Sequence, residues 1–300
     1  MALRLIENFR ALFYAPFYAA ELIGAYAAEG VQVEHLASDN PERTASALAD
    51  GAADVMWGGP LRAMRTLDRD PASGVVCFAD AVVRDPFFVI GRAPRPDFRL
   101  ADLLSVRLAT VAEVPTPWVC LAQDLRLAGL DPSRVDRITG PAMAENAAAL
   151  RAGSIDAVQL FQPYAEELLR SGAGHLWYAA ATRGPTAYTT YVTTRPVLSQ
   201  KRDELIRLTR ALHRALRWVA AAPEAEIGRA LSPLFPRLTA ALIGAAVGRY
   251  RKLGLYATDP VIRPEGVAWL AEAMRAAGLL TGAMPFHHVA DTEIARAALG

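Results

Sequence analysis

Apolar and polar positions along the first two thirds of the chain switch repeatedly between the two-residue period of a strand and the 3.6-residue period of a helix. A short apolar strand, Ala2 to Ile6, opens the pattern, and a loop from Asn8 to Tyr18 carries five aromatic rings within ten residues. A helix is predicted from Phe17 to Glu29, stopped by Gly30, followed by a strand from Val31 to Leu36. Asn40 as N-cap and Pro41 at the first position open the next helix, which closes near Gly51. The strand Ala53 to Trp57 runs into Gly58-Gly59-Pro60, where Pro60 opens a helix through Leu67, and the next strand is Gly74 to Ala79. This alternation predicts an α/β chain.

From Arg84 the order of elements begins again. The heptapeptide LADGAAD, Leu48 to Asp54, returns 102 residues later as LRAGSID, Leu150 to Asp156, each closing a helix and leading into a strand. The first strand and its loop likewise correspond to Arg107 to Val111 and the loop Ala112 to Pro117. Two similar parallel or mixed-sheet lobes are expected: residues 1–84 with 190–300, and residues 85–189. Two crossing strands join them, near 84–91 with Phe87 to Ile90, and near 186–194 with the β-branched run Tyr188 to Thr194. Such a pair makes a hinge. In the last third, helical spacing returns over Gln200 to Ala222, Leu238 to Leu253 and Pro264 to Leu279, with Gly254 and Gly278 as stops. These helices are expected to pack outside the lobes.

Composition narrows the function more than the fold. A net charge of +1 with no basic stripe argues against nucleic acid. Cys77 and Cys120 have neither CxxC nor Cys/His spacing and read as buried thiols. No run of about 18 uncharged apolar residues is long enough to span a bilayer. No basic-then-apolar leader precedes the first strand, so the chain is either an exported protein whose leader was removed, at home in the periplasm or at the membrane, or a cytoplasmic one starting at Met1.

No GxSxG elbow, HExxH or P-loop occurs, and His35, His175 and His213 are scattered while His287-His288 reads as a solvated pair. The charged face of a helix accounts for Glu166-Glu167. No metal and no cofactor are expected. What recurs is an aromatic or glycine-bearing loop at each predicted strand end, the edge at which α/β proteins hold ligands. The candidate ligand-binding set is Asn8, Arg10, Phe13, Tyr14 and Tyr18 after the first strand, then Trp57, Gly58 and Gly59 after the third. The second lobe adds Glu113, Thr116 and Trp118, then Phe161, Gln162 and Tyr164, and the return crossing adds Tyr188 and Tyr191. Glycines admit a ligand to the backbone, and the amides opening the helix at Pro60 offer donors. Aromatic rings sandwich a flat ligand, Glu113 accepts from ring N–H groups, and Arg10 pairs a carboxylate or sulfonate.

The segments APFYAAELIG (Ala15 to Gly24) and EGVQVE (Glu29 to Glu34) resemble the strand-helix opening of the NMT1/THI5-like type II solute-binding proteins. The two "gxxD" stations, Leu48 to Asp54 with Gly58 and Leu150 to Asp156 with Gln162-Pro163-Tyr164, resemble that family's as well. The likeness runs from Leu3 to Leu280. It implies a two-lobed binding component of an ABC importer, in a group that takes up nitrate, sulfonates, taurine and thiamine-pyrimidine precursors. The partners implied are a small-molecule ligand and a membrane permease, with the protein itself a monomer. Two features of relatives are absent: the cysteine-rich segment of the pyrimidine synthases, and the nucleophilic cysteine of the desulfinases, near whose place stand Phe13 and Tyr14. The expectation is therefore a protein that closes around a small flat polar molecule, a pyrimidine or other heteroaromatic first, an aromatic carboxylate or sulfonate second. The alternatives are an enzyme of the same fold, with Glu113 and Asp85 as acid/base candidates, and a cytosolic ligand sensor.

Overall fold

A computed structural model describes residues 2–7, 9–37 and 41–300. The first stretch alternates strands β1 (Leu3–Glu7), β2 (Val33–Leu36), β3 (Val55–Gly58) and β4 (Val75–Val82) with helices α1 (Ala15–Leu22), α2 (Ala25–Ala28), α3 (Pro41–Ala49) and α4 (Pro60–Arg69). The predicted helix from Phe17 to Glu29 is thus two helices. Gly24 sits between them at φ 71°, a left-handed turn that glycine adopts without a Cβ penalty, and Gly30 at φ 65° ends the second. The predicted cap Asn40 lies outside the described residues.

The second stretch holds β5 (Phe88–Gly91), β6 (Arg107–Ala109), β7 (Asp136–Ile138), β8 (Ala157–Leu160) and β9 (His175–Ala179), with helices α5 (Thr116–Leu127), α6 (Met143–Arg151) and α7 (Tyr164–Arg170). The third begins with β10 (Thr189–Thr194) and is then helical: α8 (Arg195–Gln200), α9 (Arg202–Ala221), α10 (Glu224–Leu231), α11 (Ala240–Lys252), α12 (Pro264–Ala276), α13 (Phe286–Val289) and α14 (Glu293–Leu299).

Two five-stranded mixed sheets result, ordered β2-β1-β3-β10-β4 and β7-β6-β8-β5-β9. In each, a central strand pairs in parallel with two neighbours and an antiparallel strand completes the sheet. The two orders match element for element, and so does the repeated heptapeptide. Gly51 and Gly153 both end a helix at positive φ, 67° and 74°. Asp54 then accepts from the Arg4 amide at 2.9 Å, and Asp156 accepts from the Arg107 amide at 3.0 Å. Both aspartates serve to hold the start of the neighbouring parallel strand.

The chain divides into two compact units, residues 1–84 with 185–300, and residues 85–184. Residues 185–189 join the first unit because their backbone pairs there: Thr186 N donates to Val83 O at 2.9 Å, Tyr188 N to Val82 O at 3.1 Å and Ala187 N to Gly266 O at 3.1 Å. The outward crossing, expected near 84–91, passes between the units at Arg84–Asp85 and runs on into β5, an interior strand of the second sheet between β8 and β9. All the C-terminal helices belong to the first unit, where α9 packs on α1 and α2 and α12 packs on α4. Among the described residues no helix is long and apolar enough to cross a membrane.

Candidate functional site

In the first unit the carboxyl end of β1 carries Glu7, which is followed by the aromatic loop. Tyr18 donates its hydroxyl hydrogen to Glu7 Oε1 at 3.0 Å and accepts from the Ala11 amide at 3.2 Å, so α1 is tied back to the strand it follows. Arg10 pairs with the same Glu7 oxygen at 3.0 Å and lies 5.1 Å from the Tyr18 ring centre. Burial pushes the Glu7 carboxyl above its ordinary pKa, while Arg10 and Tyr18 pull it back. Arg10 therefore already has a carboxylate partner. Asn8 lies outside the described residues.

The predicted aromatic residues of this unit fall into two groups. Trp57 is 1% exposed and stacks on Phe17, with ring centres 5.1 Å apart and planes at 8°. Tyr191, fully buried, packs on Phe17 at 4.9 Å and on Phe78 at 5.7 Å. Tyr191 lies opposite Trp57 across the β10–β3 ladder, which sends both side chains to one face of the sheet. Both are buried among other rings, which take up their ring faces. Phe13, Tyr14 and Tyr188 make the second group, at the loop and the return crossing, joined there by Phe9, which was not in the predicted set; all three predicted residues are buried, Phe13 and Tyr14 at 2% exposure. Phe13 lies 4.3 Å from Tyr14 and 6.1 Å from Tyr188, and Phe9 lies 5.4 Å from Tyr14.

The Gly58-Gly59 turn follows Trp57 at the end of β3. A Cβ on Gly59 would stand 3.4 Å from the Tyr188 carbonyl, so the turn and the return crossing pack backbone to backbone. The N-cap of α4 is Gly59, which has no side chain to cap the helix opening at Pro60.

In the second unit several residues of the expected set are engaged by the protein itself. Glu113 is exposed and accepts from the Met143 amide at 2.8 Å, capping α6 from outside the helix. Gln162 is fully buried, and its Oε1 accepts from the Glu166 amide at 2.8 Å, which caps α7 in the same way. Glu166, read as part of a charged face, is itself buried. Trp118 turns to the edge strand β7, where the Arg137 guanidinium lies 4.2 Å from its ring centre. Thr116 opens α5 and is half-buried, as is Tyr164, which opens α7. Phe161 packs edge-on against Phe87 at 5.2 Å, and burial raises the Tyr164 hydroxyl above its ordinary pKa, with Glu113 and Glu167 adding to it.

Asp85 is the first residue of this unit and fully buried, but it is not free for proton transfer. Arg183, the last residue but one of the unit, donates Nη1 to Asp85 at 2.7 Å and Nε to Asp124 at 2.8 Å, and its Nη2 also meets Asp124. Tyr178 adds its hydroxyl to Asp124 at 3.0 Å, and the Phe87 amide donates to Asp85 at 2.9 Å. Burial pushes the Asp85 carboxyl up against the pull of Arg183, and the paired guanidinium stays charged. This buried triad clips the two crossings together as they enter and leave the unit, and sequence reasoning missed Arg183 because both its partners are distant in the chain.

The two cysteines are buried free thiols. Burial pushes Cys77 up to about 12 and Cys120 well above the ordinary thiol value, the opposite of what a nucleophile needs. Among the described residues no group of three His, Cys, Asp or Glu is placed to hold a metal.

A family model described as "NMT1/THI5 like" matches residues 13–226. "Putative binding protein YtlA" of Bacillus subtilis (strain 168) is 24% identical over 294 residues, covering 97% of this chain and 88% of that protein. Among solved structures, "putative sulfonate ABC transporter, periplasmic sulfonate-binding protein SsuA" of Methylobacillus flagellatus KT aligns with a TM-score of 0.76 at 14% identity, over 100% of this chain and 94% of that one. The desulfurization enzyme DszB aligns with a TM-score of 0.73 at 15% identity, over 99% of both chains. These structural likenesses establish the two-lobed periplasmic-binding-protein fold. With more than two thirds of its length matched by the family model, the chain belongs to the NMT1/THI5-like family.

Proposed function

We propose that this chain is a solute-binding protein of ABC import type, taking a small molecule at the carboxyl edges of its sheets and delivering it to a membrane permease. The observation that carries this reading is the family match over residues 13–226, and the chemistry of the edges supports it. Glu113 caps a helix, Asp85 is locked in an ion triad, and neither thiol is activated. The names of its similar proteins point the same way, as does the periplasmic setting in one of them.

For the ligand we favour a flat heteroaromatic molecule such as a pyrimidine. Phe9, Phe13, Tyr14 and Tyr188 gather four aromatic rings at the edge, Phe13 and Tyr14 as buried in this structure as Trp57, and Arg10 is paired with Glu7. A sulfonate or carboxylate binding the remaining N–H groups of Arg10 would share the guanidinium with the Glu7 carboxylate. Thermal melting with pyrimidines, aromatic carboxylates and alkyl sulfonates tests this directly. A true ligand at one hundred times its Kd stabilises by about 2.7 kcal/mol, a shift of several degrees. No stabilisation by any class would remove the binding reading. Stabilisation by sulfonates alone would replace the ligand class and leave the function standing. Mass spectrometry should return the bound compound unchanged.

A further inference from the structure

Trp118, expected among the ligand-binding residues, lines a different feature. Along α5, Trp118, Ala122 and Arg126 recur every four residues and so share one helix face. Opposite them stand Pro132, Ser133, Val135 and Arg137 from the turn before β7 and from β7 itself, and the two sides enclose a surface hollow of about 310 Å³. That volume lies at the lower bound of small-molecule pockets, about 300 Å³.

The hollow is built around two guanidiniums. Arg137, an exposed residue, lies over Trp118, and the partial burial of its guanidinium against the ring lowers its pKa from the ordinary value. Arg126 Nη1 is buried with no hydrogen-bond partner. Among the described residues neither arginine makes an ion pair. The nearby carboxylate, Asp131, is engaged by the Ser133 amide at 2.9 Å and the Ser133 hydroxyl at 2.8 Å, and it feels the charges of Arg134 and Arg126 without an ion pair to Arg126. A buried guanidinium N–H without an acceptor is costly, and an oxyanion is the group that satisfies it best, by short charge-assisted hydrogen bonds.

We infer that this hollow on the outer edge of the second sheet is an anion site, taking the carboxylate, sulfonate or phosphate group of a small molecule between Arg126 and Arg137. It is separate from the residues of the proposed solute site and does not depend on that reading. An anion that engages Arg137 changes the charge over the Trp118 ring, so the indole reports occupancy.

The test is a titration of the full-length protein with sodium sulfate, inorganic phosphate and benzoate, each at constant ionic strength. The Trp118 indole N–H is followed by nuclear magnetic resonance, its signal assigned from a Trp118→Phe variant. A saturable shift at millimolar anion or below is expected, weakened tenfold or more in Arg137→Gln and in Arg126→Gln, and the strongest anion identifies the group preferred. Absence of a saturable shift with all three anions in the wild-type protein overturns the proposal. So does a shift that is unchanged in both variants. Because the wild-type titration is decisive alone, a variant that fails to fold does not spare it.

Discussion

At the scale of single residues, the aspartates of the repeated heptapeptide carry more stability than their conserved-looking spacing suggests. Asp54 accepts from the Arg4 amide and from Arg4 Nη2, both at 2.9 Å, and pairs with Lys201 Nζ at 2.8 Å. These partners outweigh the cost of burial and hold its carboxyl down at about 2, from an ordinary 3.8. A depressed folded pKa stabilises above the unfolded value and loses that contribution as the pH falls through the folded one. Asp54→Asn should therefore lower stability by on the order of 2 kcal/mol at neutral pH and flatten the acid limb between pH 3.8 and about 2, measured by denaturant melts across pH. Arg183→Met should be worse. It strands two buried carboxylates, and losing one partner of a buried pair costs about 3–5 kcal/mol. A loss under about 1 kcal/mol in urea melts would show that the triad relaxes or takes up protons at little cost.

Among elements, closeness of packing separates the glycines that matter from those that merely turn the chain. Helices α10 and α11 touch through glycine. A Cβ on Gly244 would stand 2.2 Å from the Glu224 carbonyl oxygen, and one on Gly228 would stand 2.0 Å from the Ala240 carbonyl. Since backbone cannot give way as a side-chain tip does, Gly244→Ala should cost about 1–3 kcal/mol despite its better helix propensity, and thermal melting reads the loss. Gly266 is placed similarly against the return crossing. Its added Cβ would stand 2.8 Å from Ala187 N, whose hydrogen bond to the Gly266 carbonyl anchors that crossing to α12. Gly266→Ala is expected to speed amide exchange at Ala187 and Tyr188 more than in the rest of β10, as followed by hydrogen exchange; uniform protection would show that α12 does not anchor the crossing.

The elements themselves were largely legible, because their signals are local. Pro60 after two glycines opens α4, Gly51 and Gly153 stop α3 and α6, and the β-branched run near Thr190 is a strand. The break at Gly24 was hidden because alanines and aromatics on both sides of it continue the helical pattern. At the site, the edge location of Phe13 and Tyr14 was readable from strand-loop-helix order. The roles of Glu113, Gln162 and Trp118 were not, since a cap on α6, a cap on α7 and a stacked Arg137 are decided by which backbone or side chain arrives opposite them.

For the whole molecule, the chain passes between its units twice, at Arg84–Asp85 and Gly184–Pro185. On one side of those passages the strands are joined by backbone bonds from Thr186 and Tyr188, and on the other by the Asp85–Arg183 pair. A solute-binding function predicts that ligand compacts the protein. Small-angle scattering with and without a stabilising ligand should show a smaller radius of gyration when bound, and an unchanged radius with saturating ligand would argue for a rigid binder. Sequence by itself determined the alternation of strand and helix, the duplication 102 residues apart and the family resemblance, because periodicity, glycine and proline positions and repeated words are written in neighbouring residues. Only the tertiary structure decided that Trp57 and Tyr191 are core, that Arg183 closes a triad and that Trp118 faces Arg137. Burial and pairing depend on partners brought together from distant parts of the chain, and no local pattern names them.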